Sequence, residues 1–160
     1  MPERVGVIGS REYPRLADVD AAIDALDPSA IVVSGGARGV DQRAVVRAKH
    51  RGMQCEEFLA DWDGEGRGAG LARNERMLVT VDRVIAFWDE ESRGTKHAIE
   101  FAQSRKIPVQ VVTWEPNADD YGTMFDDLRR MHSVAAAHGY KLPPLTLRVL
   151  QRLVRERRKS

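Results

Sequence analysis

The chain has 160 residues, of which 31% are charged and 42% hydrophobic, and its formal net charge is +1. This composition is typical of a globular domain with its own core and excludes a disordered chain. No apolar run approaches the roughly 20 residues of a membrane span, and the N-terminal residues leave no room for a signal peptide, so we expect a cytoplasmic protein. The single cysteine, Cys55, lies in a predicted buried strand, and no Cys/His cluster indicates a metal site.

Five predicted strands alternate with helices along residues 1–113. The strands are Arg4–Ile8, Ala30–Val33, Met53–Leu59, Asp82–Trp88 and Ile107–Thr113. The helices between them are Leu16–Leu26, Gln42–Arg51, Leu71–Val81 and Gly94–Arg105, and Ala60–Gly70 is a predicted loop. Apolar strands that are each followed by a helix indicate a parallel sheet covered on both faces. We therefore predict a three-layer, doubly wound, Rossmann-like α/β fold with about five core strands in the order 3-2-1-4-5.

Residues 114–160 are predicted to form a separate helical extension. Its helices are Met124–His138, which Gly139 would end, and Leu145–Arg158. From Leu145 onward the chain has six basic residues against one acidic residue. A basic stripe can bind nucleic acid, but no aromatic residues are interleaved with these charges, so we favour a solvated face.

Glycine-rich turns follow the first, second and fourth predicted strands. In Ser34–Asp41 the glycines let the backbone approach a ligand, and the helix start offers N–H groups and a positive dipole end. Arg38 adds a cation suited to phosphate. Because the carboxyl ends of parallel strands meet at one sheet edge, the three turns should converge on a crevice that takes phosphate. The candidates in these turns are Gly9, Ser10, Arg11, Ser34, Gly35, Gly36, Arg38, Gly39, Ser92, Gly94 and Thr95.

Three further residues near this edge have two interpretations each. Asp41 falls in the first helical turn, where its carboxylate can bond backbone N–H groups or contact the ligand; the structural role is the better supported. Trp88 ends a central strand and could stack on a base or pack in the core. Trp62 lies in the long loop and could act as a lid or a dimer contact.

The run Ser34–Asp41 resembles a motif of the SLOG superfamily, which includes DNA-processing protein A and the LOG phosphoribohydrolases. Within this superfamily the chain is most similar to the YspA, cpYpsA-related family. The segments that carry this resemblance are Gly9-Ser10-Arg11, Asp61-Trp62, Arg73–Met77 and Ser92–Thr95. This resemblance implies a Rossmann-like fold that binds a nucleotide or nucleotide derivative, with Arg73 and Asn74 in the site. It also implies a possible homodimer, because SLOG relatives often dimerise.

A LOG enzyme cleaves the N-glycosidic bond of a nucleoside 5′-monophosphate and uses a glutamate three residues after the threonine of its glycine loop. Here that position is Ala98. An oxocarbenium-like transition state needs a nearby carboxylate. Without a glutamate at position 98, the remaining catalytic candidates are Asp89, Glu91 and Glu100, and they are weak ones.

The main hypothesis is therefore a nucleotide-binding protein, acting as a sensor or accessory factor, with no certain cofactor and no membrane partner. The alternatives are a LOG-like N-glycosidase and a single-strand DNA-binding protein.

Overall fold

The computed structural model describes residues 1–114, 130 and 133–139. The chain divides into two compact units, Met1–Trp114 and Glu115–Ser160. No helix among the described residues is both long enough and apolar enough to cross a membrane.

The first unit alternates strands and helices as the sequence predicts. Its strands are β1 (Arg4–Gly9), β2 (Ile31–Ser34), β3 (Gln54–Glu57), β4 (Arg83–Trp88) and β5 (Val109–Thr113). Its helices are α1 (Leu16–Asp24), α2 (Val40–His50), α3 (Trp62–Glu65), α4 (Ala69–Leu78) and α5 (Arg93–Ser104), with a 3-10 turn at Gly66–Gly68.

All five strands pair in parallel in the order β3-β2-β1-β4-β5, which confirms the predicted doubly wound α/β fold. β1 lies in the centre, with Val7 opposite Ser34 of β2 and Ile85 of β4. The chain leaves β1 toward one edge of the sheet and returns through β4 toward the other. This reversal opens a crevice at the carboxyl ends of β1 and β4, because the loops that follow them diverge.

The core forms because the central strands are apolar on both faces and the helices cover them in pairs. α1 packs against α2, and α4 packs against α5. One cluster joins Met77 and Leu78 of α4 to Ala98 and Ile99 of α5 beneath the central strands, and Val84 of β4 belongs to it. These side chains are at least nine-tenths buried, so they fix the two helices that carry part of the crevice.

Two predictions about local structure were wrong. β3 is an edge strand whose residues are mostly exposed, and Cys55 is only partly buried. The predicted loop Ala60–Gly70 contains α3, the 3-10 turn and the start of α4. Asp61 starts α3 by accepting a hydrogen bond from the Gly64 N–H at 2.9 Å, so it is an N-cap residue. The many charged residues and glycines of this segment had favoured a loop in the sequence analysis.

Most of the predicted C-terminal extension lies outside the described residues, including all of Leu145–Arg158. In the predicted helix Met124–His138, residues 130 and 133–137 are helical. Gly139 follows with a φ of +78°, a conformation that suits glycine at a helix end.

Candidate functional site

The crevice at the carboxyl ends of β1 and β4 has a volume of about 500 Å³. Its walls come from the loops after these strands, from the loop after β2 and from the start of α4. Of the predicted ligand-binding residues, those that line it are Gly9, Arg11, Asp41, Arg73, Asn74, Ser92, Gly94 and Thr95. The structure therefore brings together residues that are up to 86 positions apart in sequence, as the parallel sheet requires.

Arg73 lies in the crevice wall and is only 7% exposed. Its guanidinium rests against Gly35, where any Cβ would overlap the Nη1 and Cζ atoms. Nε donates to the Asn74 side-chain oxygen at 2.8 Å, and Nη1 donates to the Phe58 carbonyl at 3.1 Å. Nη2 has no hydrogen-bond acceptor within the described part of the chain. Burial lowers the pKa of Arg73, and the nearby Asp41 carboxylate opposes that shift.

Asp41 lies at the first turn of α2 and is 4% exposed. Its Oδ2 accepts a hydrogen bond from the Ala37 N–H at 3.2 Å, and the N–H groups of Gly35 and Gly9 also stabilise the carboxylate. Burial raises the pKa of Asp41 to about 6, while Arg73 and these amides act in the opposite direction. Several N–H groups of the glycine turn are therefore already engaged by a carboxylate of the protein itself, which supports the structural role predicted for Asp41.

The loop between β4 and α5 is organised around Asp89. Its Oδ1 accepts hydrogen bonds from the Ser10 hydroxyl at 2.8 Å and from the N–H groups of Glu91 and Ser92 at 3.0 and 2.8 Å. Ser92 in turn begins α5 by accepting a bond from the Thr95 N–H at 3.3 Å. These contacts fix the turn rather than leave the carboxylate as an available base. Among the other catalytic candidates, Glu91 lines the crevice, whereas Glu100 lies outside the lining and pairs with Lys96 at 3.7 Å.

Several predicted residues do not line the crevice. Arg38 is 72% exposed and pairs with Glu12 at 2.8 Å. Trp88 packs against the core, and its Nε1 donates to the Ser92 carbonyl at 3.2 Å. The remaining predicted residues outside the lining are Ser10, Ser34, Gly35, Gly36 and Gly39. They shape the turns from behind: at Gly39, with a φ of +88°, a Cβ would lie 2.5 Å from the Arg11 carbonyl oxygen.

Six lining residues were missed by sequence reasoning: Ile8, Glu12, Ala37, Arg67, Gly70 and Leu71. The last three belong to the segment that was taken for an irregular loop and the helix start beyond it. The pattern Asp61-Trp62-Asp63-Gly64, with an N-cap residue three positions before a glycine N–H, is the signal that could have revealed a helical turn there.

The crevice arginines differ in their partners from most other arginines of the first unit. The side chains of Arg11 and Arg67 form no hydrogen bond or ion pair with any described residue, and the carboxylate facing Arg73 is itself buried. Elsewhere in the first unit many arginines are paired with Asp or Glu: Arg4, Arg38, Arg43, Arg47, Arg51, Arg76 and Arg83. The crevice thus has cationic donors available for an anion. No group of three or more His, Cys, Asp or Glu among the described residues is arranged to hold a metal ion.

The doubly wound sheet and its crevice define a Rossmann-like protein with the fold of DNA processing protein A. The protein of that name from Streptococcus pneumoniae superposes with a TM-score of 0.65 at 18% identity, covering 81% of this chain. The chain spans 56% of that protein. DNA processing protein A from Helicobacter pylori, described for its single-stranded DNA binding mode, superposes with a TM-score of 0.54 at 18% identity, covering 98% of this chain and 81% of that one.

In sequence, the chain belongs to the family of the Gene 61 protein of Mycobacterium phage D29. The two are 37% identical over 116 residues, which is 66% of this chain and 93% of the phage protein. No family profile matches the sequence. The likeness to DNA processing protein A confirms the predicted doubly wound, Rossmann-like α/β fold.

Proposed function

We propose that the crevice binds the phosphate of a nucleotide or nucleotide derivative. The observation that carries this proposal is the set of crevice arginines, because Arg11, Arg67 and the Nη2 group of Arg73 have no acceptor among the described residues. A guanidinium binds phosphate oxygens through two parallel N–H donors. A cavity of about 500 Å³ is in the usual range for small-molecule sites.

In this proposal the phosphate lies between the arginines and the start of α5, away from the glycine turn. Asp41 already occupies N–H groups of that turn and would repel a second anion there. At the start of α5 the Gly94 position opens onto the crevice, and a Cβ there would meet nothing within 4 Å. The positive end of this 12-residue helix then adds to the attraction of the arginines.

Single-stranded DNA binding is the second candidate, and the fold comparison favours it. The H. pylori relative in fold is described by its single-stranded DNA binding, and a phosphodiester could use the same arginines. Residues 1–114, however, contain 16 basic and 18 acidic residues, so this unit has no excess positive charge.

Hydrolysis of an N-glycosidic bond is the third reading, and the site supports it least. Ala98 occupies the position of the LOG glutamate and is fully buried, so no carboxylate can act from there. Asp89 Oδ1 already accepts three hydrogen bonds. Release of free base from a nucleoside monophosphate would be direct evidence for this activity.

We also propose the finer assignments that the motifs imply. These are membership of the YspA, cpYpsA-related group, a homodimer and a cytoplasmic location. Light scattering of the full chain tests the dimer, because a monomer mass at micromolar concentration would contradict it.

The test of the main proposal is calorimetric titration of the full chain with nucleoside 5′-monophosphates, ribose 5-phosphate and oligothymidylates of increasing length. We expect a monophosphate to bind and Arg11→Ala to weaken it, while Arg105→Ala, a charge-matched change at the far end of α5, leaves affinity unchanged. If affinity instead rises steeply with oligonucleotide length and falls with salt, single-stranded DNA is the ligand. If no compound binds, the proposal fails.

A further inference from the structure

Trp62 is the exposed tryptophan of the first unit. Its side chain is 54% exposed, whereas Trp114 is buried and Trp88 packs against the core. Tryptophan is highly buried on average because its indole carries a large apolar area. An indole left in solvent beside a ligand crevice is therefore a candidate contact surface.

The backbone around Trp62 is held in place. Asp61 caps the single turn of α3 through the Gly64 N–H at 2.9 Å. At the other end of the turn Glu65 pairs with Arg76 of α4 at 2.5 and 3.1 Å. The turn that carries the indole is thus tied to the helix that also carries Arg73, which lowers the entropy that a ligand contact would cost.

The indole lies beside the crevice wall at Gly70, although Trp62 itself is not one of the lining residues. Its Cη2 atom is 3.5 Å from the position that a Cβ of Gly70 would take, and Gly70 lines the crevice. Leu71, which follows Gly70 in the chain, and Arg67 also line the crevice, and both are exposed. This rim combines a flat aromatic surface, an apolar side chain and a guanidinium.

A nucleotide has an anionic phosphate, which suits the crevice arginines, and a flat base, which suits the indole. We infer that Trp62 stacks on the base of the bound nucleotide, with Leu71 beside it, while the phosphate lies among the crevice arginines. This inference rests on the proposed function and adds the residue that distinguishes a nucleotide from a sugar phosphate. It assigns to Trp62 the stacking role that was one of the two interpretations of Trp88.

The test compares adenosine 5′-monophosphate with ribose 5-phosphate, which has the phosphate and sugar but no base. We expect Trp62→Ala to weaken the monophosphate about five-fold or more, because stacking of one base on an aromatic side chain is lost. Ribose 5-phosphate affinity should stay within about two-fold of wild type. Trp62→Phe should retain most of the monophosphate affinity, and the nucleotide should quench wild-type tryptophan emission more than that of Trp62→Phe.

Unchanged monophosphate affinity in Trp62→Ala would overturn the inference and leave the phosphate site intact. Equal weakening of both ligands would also overturn it, since Trp62 would then organise the wall rather than contact a base. If ribose 5-phosphate binds wild type as tightly as the nucleotide, the base makes no contact and the inference fails. If neither ligand binds wild type, the proposed function fails with it. A melting temperature near that of wild type shows that the variant is folded.

Discussion

Replacing Gly35 by alanine tests whether Arg73 is held beneath the glycine turn. A Cβ at this position would overlap the Arg73 guanidinium, with Nε only 2.8 Å away. The guanidinium is buried and cannot swing aside without breaking its bonds to Asn74 and to the Phe58 carbonyl. It would also leave the buried Asp41 carboxylate without its countercharge.

The size of the effect follows from these contacts. Two hydrogen bonds from a charged donor, at about 1.5 kcal/mol each, give a loss of about 3 kcal/mol in the free energy of unfolding. For a chain of this length that corresponds to a drop in melting temperature of about 6–12 °C. We expect Gly35→Ala to show this loss in thermal and urea denaturation, together with weaker nucleotide binding.

Gly68→Ala is the matched control for Gly35→Ala. Gly68 has φ −82° and ψ −11°, and a Cβ there would meet nothing within 4 Å. Alanine should therefore be neutral or raise stability by up to about 1 kcal/mol, because it restricts the unfolded chain. If Gly35→Ala has the same melting temperature as Gly68→Ala, Arg73 is not fixed against the glycine turn.

Two further predictions concern the glycine turn and Asp41. Gly39 and Gly52 both have positive φ, but of the two only Gly39 would place a Cβ against backbone, 2.5 Å from the Arg11 carbonyl oxygen. Urea denaturation should therefore show Gly39→Ala to be about 2 kcal/mol less stable than Gly52→Ala. Equal losses of stability in the two variants would refute the close approach. The pKa of Asp41 is raised to about 6 from 3.8, so the folded state binds the proton more tightly and this carboxyl opposes folding as pH rises. The free energy of unfolding of wild type, relative to that of Asp41→Asn, should fall by about 2–3 kcal/mol from about pH 4 to pH 7. A carboxyl resonance that titrates near 4 would contradict this.

The fold could be predicted from sequence because its strands are continuously apolar and each is followed by an amphipathic helix. Val84–Trp88 and Val5–Ile8 could only be central strands, and the turns after them then had to meet at one edge. β3 was misjudged as buried because Met53, Cys55 and Phe58 are apolar, although the predicted strand order already placed it at the edge, where most of the strand is exposed.

The site was harder to predict because side-chain partners depend on tertiary structure. The sequence places Arg38 in a predicted phosphate-binding turn, but in the structure Arg38 pairs with Glu12 from the loop after β1. Arg67 belongs to a segment with no apolar periodicity, so no sequence pattern could direct it into the crevice wall. The choice between Trp88 and Trp62 depends on which indole the core buries.

The measurement that tests the central claim most directly is the affinity of Arg67→Ala for adenosine 5′-monophosphate and for adenosine. If the crevice arginines bind the phosphate, the variant loses about five-fold or more in affinity for the monophosphate, as expected when one charge-assisted contact is removed. Its affinity for adenosine, which has no phosphate, stays unchanged. Equal affinity of wild type and Arg67→Ala for the monophosphate would contradict the claim that this crevice is a phosphate site.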